Sequence, residues 1–85
     1  MKLKSTFVTH DTGDGLLMIS AGGEFNGMVR SNSTAKDIIN MLANDTTEEN
    51  IIAAMLEKYD ATREQIEGDV KSVLATLKKI GALDE

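Results

Sequence analysis

The run Gly27-Met28-Val29-Arg30-Ser31 constrains this chain more than any other segment: it is extended in character, opens on glycine, and passes through Asn32-Ser33-Thr34 straight into a helical pattern. Asn is a preferred N-cap, so the strand ends and the helix starts with no loop between them. A strand that meets a capped helix this abruptly keeps a backbone edge beside the helices. An unpaired edge of that kind can take up another peptide as an added strand. The geometry points to binding rather than catalysis.

The rest of the first third also reads as strands. Phe7 and Val8 lie in a Thr-flanked β-prone stretch, Asp11-Thr12-Gly13-Asp14-Gly15 supplies turn chemistry, and Leu16-Leu17-Met18-Ile19 is a buried-strand candidate. Together they predict a hairpin, and after the break at Ala21-Gly22-Gly23-Glu24 a third strand runs from Phe25 to Ser31. Such a small sheet is marginal alone and must pack on something.

Three helices supply that partner. Ala35, Ile38, Ile39 and Leu42 recur at helical spacing after the Asn32 cap; Ile51, Ile52, Met55, Leu56 and Tyr59 form a second apolar face, started by a capping box of Thr46 with Glu49. Thr62 with Gln65 repeats that signal for a third helix, whose face is Ile66, Val70, Val73, Leu74, Leu77 and Ile80 and which Gly81 ends. No proline interrupts them. The predicted fold is α+β and winged-helix-like: a three-stranded antiparallel sheet over about 5–31 followed by a three-helix bundle over about 33–43, 47–59 and 63–80, forming a single domain over 1–85.

Composition narrows the chemistry. Eighty-five residues make one small domain, and the absence of cysteine excludes disulfides, thiolate metal sites and thiol nucleophiles within the chain. The basic amino terminus lacks the apolar stretch of an export signal, and no apolar run is long enough to span a bilayer, so a cytoplasmic protein with no membrane association is expected. A net charge of −5 argues against a nucleic-acid partner. Asp11, Asp14 and Gly15 lack the bidentate Glu that a calcium loop carries at its twelfth position, which here is Gly22. Gly13 and Gly15 lack the third glycine and the helix of a dinucleotide site. His10, the single histidine, has no nucleophile or second ligand near it in sequence. No catalytic residue, metal or cofactor is expected. An acyl-carrier reading fails because Ser33 follows Asn32 rather than Asp and precedes Thr34 rather than an aliphatic residue.

On the third helix Lys71, Leu74 and Lys78 share one stripe, which would lie beside the third strand and its Arg30. Gly68, inside the same helix, is read as a tolerated surface glycine.

The segments Phe25-Asn26-Gly27-Met28-Val29-Arg30-Ser31-Asn32-Ser33-Thr34-Ala35, Thr46-Thr47-Glu48-Glu49-Asn50-Ile51, Tyr59-Asp60, Asp69-Val70 and the closing Leu77 to Leu83 together resemble the PqqD-like family, over roughly Phe7 to Leu83. That resemblance implies a RiPP recognition element, a non-catalytic domain that binds the leader of a ribosomally made precursor peptide as an extra strand and presents it to a maturation enzyme, often a radical S-adenosylmethionine enzyme. Carried over, the binding edge is Met28, Val29, Arg30 and Ser31, and the facing helix contributes Val70, Lys71, Leu74 and Lys78. On that basis Leu74→Asp should weaken leader binding without loss of helix, and Lys71 and Lys78 should favour an acidic leader. Ser31 departs from the apolar residue usual there, and Ser33 from an acidic one. The alternatives are a winged-helix DNA-binding regulator and a structural subunit of an enzyme complex; the open edge also allows a homodimer.

Overall fold

The structure, a computed structural model, describes residues 1–23 and 27–85. The expected start of the third strand at Phe25, and the Phe25-Asn26 part of the family pattern, lie outside the described residues. In chain order the elements are β1 (Lys2–Leu3), β2 (Phe7–Asp11), β3 (Gly15–Ser20), β4 (Met28–Asn32), α1 (Ser33–Met41), α2 (Glu48–Lys58), α3 (Arg63–Lys79) and β5 (Leu83–Asp84). The α+β, winged-helix-like arrangement read from the sequence is present: an antiparallel sheet ordered β2-β3-β4 precedes three helices.

Turn chemistry sets the β2–β3 hairpin. The Asp11 carboxylate accepts from the Gly13 amide at 2.7 Å, the Asp14 carboxylate accepts from the Thr12 hydroxyl at 3.1 Å, and Gly13 takes φ +92°. Asp11 also pairs with Lys36 at 2.7 Å, and that bond, ahead of the Gly13 amide, holds its carboxyl below the usual range. These acids are occupied by the turn and by α1. Register then runs from Phe7 opposite Ser20 to Asp11 opposite Leu16.

Phe7, Leu16 and Met18 on the inner face of the sheet join one core with Ile38, Ile39 and Leu42, then Ile51, Ile52 and Met55, then Ile66, Val70, Leu74 and Leu77. Each helix starts as its sequence directs, with one shift. Asn32 accepts from the Ala35 amide at 2.9 Å, and Thr62 and Gln65 form a complete capping box. The second cap, however, is Thr47, which accepts from Asn50 at 3.1 Å, and not Thr46. The Thr46 amide is bonded to the Met1 carbonyl at 2.9 Å, which fixes its backbone against the chain start and moves the helix one residue on. At the end of α3, Gly81 takes φ +75°, its amide donates to the Lys78 carbonyl, and the Ala82 amide donates to Leu77 at 2.8 Å. This pair of bonds satisfies the last carbonyls of the helix and turns the chain back.

That turn creates a second sheet absent from the sequence reading. β1 pairs antiparallel with β5, Leu3 opposite Leu83, and the Met1 ammonium reaches the Asp45 carboxylate and the Thr46 carbonyl, each at 2.7 Å. Two-residue strands carry no readable period; tertiary bonds alone define them.

Between α1 and α2, the Tyr59 hydroxyl donates to the Asp37 carboxylate, which also pairs with Lys58 at 3.1 Å. The Tyr59 bond is the main cause holding the Asp37 carboxyl below its ordinary pKa of 3.8. A carboxyl depressed in the folded state contributes stability above its unfolded pKa and loses it as pH falls through the folded value. Tyr59→Phe is therefore expected to lower Tm at pH 7, with the difference from the unmodified chain shrinking as pH falls below 3.8; thermal melts across that range check it.

Candidate functional site: the open edge of β4 and its groove

Two bonds define which backbone groups of β4 are open. The Thr12 amide donates to the Gly15 carbonyl at 3.1 Å, and the Ala21 amide donates to the Thr6 carbonyl at 2.7 Å. Polar groups alternate sides along an antiparallel strand, so odd-numbered residues of β3 face β2, and Leu16 and Met18 face β4. Their register partners are Ser31 and Val29. The N–H and C=O groups of Val29 and Ser31 therefore belong to the sheet, and those of Met28 and Arg30 point away from it. Asn32 shares the outward side but its side chain caps α1, which leaves Arg30 at the centre of the open edge.

The side chains follow the pleat. Val29 packs on the core, and Ser31 is half-buried on the same inner face. Met28 is 59% exposed and lies on the outer face, in one row with Ile19 and Val8. Arg30 occupies the next row, opposite Leu17, and has no ion-pair partner among the described residues.

Beside this edge runs a hollow of about 200 Å³, lined by Val29, Arg30, Ser31 and Asn32 of β4, by Ala35 and Ile39 of α1, and by Ser72, Val73, Thr76 and Leu77 of α3. A continuation passes Asn32 and Thr34 toward Asp69. The walls are apolar at Val29, Ala35, Ile39, Val73 and Leu77. Hydroxyls stand among them, and that of Thr76 donates to the Ser72 carbonyl at 3.1 Å.

The helix side differs from the sequence expectation. Val70 is fully buried and Leu74 is only 4% exposed, so both belong to the core. Lys71, Leu74 and Lys78 line a different hollow with Met1, Glu48 and Ala75, and Lys78 reaches Glu85 at 3.3 Å. At 3.6 residues per turn, the stripe of positions 71, 75 and 78 lies on the opposite side of the helix from 72, 73 and 76. Burial of Ile66, Val70, Leu74 and Leu77 sets the rotation of α3, and that rotation turns Ser72, Val73 and Thr76 toward β4. The readable signal was Val73, an apolar residue beside the buried stripe, flanked by small hydroxyl residues that let an edge strand approach. Among the described residues no group of His and acidic side chains is arranged to hold a metal, and no helix is long and apolar enough to cross a membrane.

Solved structures share this architecture. TbiB1 in complex with the TbiA(beta) leader peptide superposes with a TM-score of 0.84 at 19% identity, covering 99% of this chain and 95% of that one. A lasso peptide synthetase B1 complexed with the leader peptide gives 0.76 at 18% identity, covering 95% and 93%. At these identities the likeness is one of fold. No curated protein matches the sequence. Residues 13–83 do match a family, described as coenzyme PQQ synthesis protein D, and this match spans both sides of the groove, from the hairpin turn through β4 to the end of α3. A chain matched over that length, with that strand, that helix and the groove between them, belongs to the PqqD family.

Proposed function

We propose that this chain binds the leader segment of a ribosomally synthesised precursor peptide by taking it up as a strand against β4, and presents it to a modifying enzyme. The observation that carries this reading is the open edge centred on Arg30, facing α3 across a groove lined by both aliphatic and hydroxyl side chains. Strand addition needs main-chain donors and acceptors for affinity and side-chain pockets for register, and the groove offers both. Two proteins of the same fold were solved with leader peptides bound, and this supports the reading. The chain acts as a recognition element without chemistry of its own, in the cytoplasm, and serves a maturation enzyme, for which the PqqD-like resemblance often implies the radical S-adenosylmethionine type. A DNA-binding role is less well supported, because the guanidinium at the start of α3, Arg63, is engaged by Glu49 and Glu67.

Within this reading the edge is Met28, Val29, Arg30 and Ser31, and the helix side is Val73 with Ser72 and Thr76, over the buried Leu77. Val73→Asp is expected to weaken leader binding about tenfold or more, since it turns an unpaired carboxylate into an apolar contact. Circular dichroism should show the helices intact, because Val73 is only half-buried. Leu74→Asp no longer serves as that test: its side chain is in the core, and the change would report folding. Lys71→Gln, on the far side of α3, should leave affinity within about twofold, as expected for an exposed charge away from the contact. Titration of the variants with the leader of a precursor encoded beside this chain measures all of these.

A further inference from the structure

We infer that the β4 edge reads three consecutive peptide residues by alternating faces: an apolar residue beside Val29, an acidic residue beside Arg30, and a residue bearing a hydroxyl or amide beside Ser31. This rests on the strand-addition reading and names the class of peptide it takes. Successive residues of an added strand point to opposite faces of the sheet, so neighbours of Val29 and Ser31 enter the groove and the neighbour of Arg30 lies on the outer face. Across strands, opposite charges and hydroxyl pairs are favoured when directly opposed.

Val29 lines one groove with Ile39, Val73 and Leu77 as well as with Ser72 and Thr76, and the aliphatic walls suit an aliphatic side chain. Ser31 and Ser72 line the same groove, which continues past Asn32 toward Asp69; the Ser31 and Ser72 hydroxyls have no partner among the described residues, and a purely apolar occupant would leave them unsatisfied. Arg30 stands on an outer face whose other strand residues are Val8, His10, Gly15, Leu17, Ile19, Met28 and Asn32, with no carboxylate on that face among the described strand residues. In a chain of net charge −5, this is a local cationic position. Asp14, which shares a hollow with Arg30 and Ser31, already accepts the Thr12 hydroxyl and makes no ion pair to Arg30. The order of the three residues reverses with the direction of the bound strand; their alternation does not.

The test is a selection of displayed random-sequence peptides on the full chain and on Ser31→Val and Arg30→Glu. The unmodified chain should enrich an apolar, acidic, hydroxyl-or-amide triad in one of the two orders. Ser31→Val should shift the polar position toward aliphatic residues, and Arg30→Glu should shift the acidic position toward Lys and Arg, each by about two- to fivefold in enrichment ratio. Ser72→Val should change the same polar position from the helix side, and it serves if Ser31→Val fails to fold. Peptides enriched without the triad, or with the same residues for every variant, overturn this readout while leaving strand addition standing. No enrichment at all by the unmodified chain overturns both.

Discussion

Arg30→Pro is expected to remove peptide binding while leaving the fold in place. The Arg30 amide is the central donor of the open edge, and its loss takes away a main-chain bond at the middle of the added strand and puts a ring where the peptide must approach. Proline is tolerated on edge strands whose N–H faces away from the sheet, and the bonds to Met18 and Leu16 come from Val29 and Ser31. Affinity should fall at least about tenfold, the size of one lost hydrogen bond, with steric exclusion adding to it. Arg30→Ala keeps the amide and removes only the guanidinium, so its smaller loss isolates the side chain. Val29→Pro, by contrast, breaks the ladder to β3 and should unfold the sheet. Calorimetric titration with circular dichroism on each variant separates these outcomes.

Gly15→Ala is expected to cost stability out of proportion to the single methyl group it adds. A Cβ at Gly15 would stand 2.0 Å from the Ser31 carbonyl oxygen and 3.1 Å from its carbon. Both obstacles are backbone, so β4 itself must move away from β3. Overpacking of this kind costs about 1–3 kcal/mol, and here it displaces the strand that carries the edge. Urea unfolding should show the lower stability, and peptide affinity should fall with it. Gly68→Ala makes the contrast: nothing lies within 4 Å of its Cβ position in the interior of α3, so alanine should add about 0.5–1 kcal/mol through helix propensity.

Much of this fold is legible in the sequence because the signals are local. Asp11-Thr12-Gly13-Asp14-Gly15 can hardly be anything but a hairpin turn, Asn32 couples β4 to α1 within one residue, and Thr62 with Gln65 starts α3 where the capping box says. What the sequence obscured depends on contacts between distant segments. By pattern Thr46, three residues before Glu49, is the better cap, and the bond from Thr46 to Met1 hands the role to Thr47. The pairing of β1 with β5 joins the two ends of the chain through strands too short to show a period. The rotation of α3 is subtler. The buried set was recognised, yet Lys71, Leu74 and Lys78 also make a regular stripe, and a lysine stripe beside an edge strand is an attractive binding surface. Packing places that stripe by Glu48 and Met1 and turns the less conspicuous Ser72, Val73 and Thr76 toward β4. The strand side needed only alternation; the helix side needed the core.

Amide hydrogen exchange on the chain, free and saturated with the leader of a neighbouring precursor or with the tightest selected peptide, tests strand addition most directly. In the free chain the Val29 and Ser31 amides should exchange slowly and the Arg30 amide fast, because only the first two are bonded to β3. Bound peptide should slow Arg30 strongly and leave Lys71 and Lys78 unchanged. An Arg30 amide that exchanges as fast in the saturated complex as in the free chain would contradict strand addition at β4.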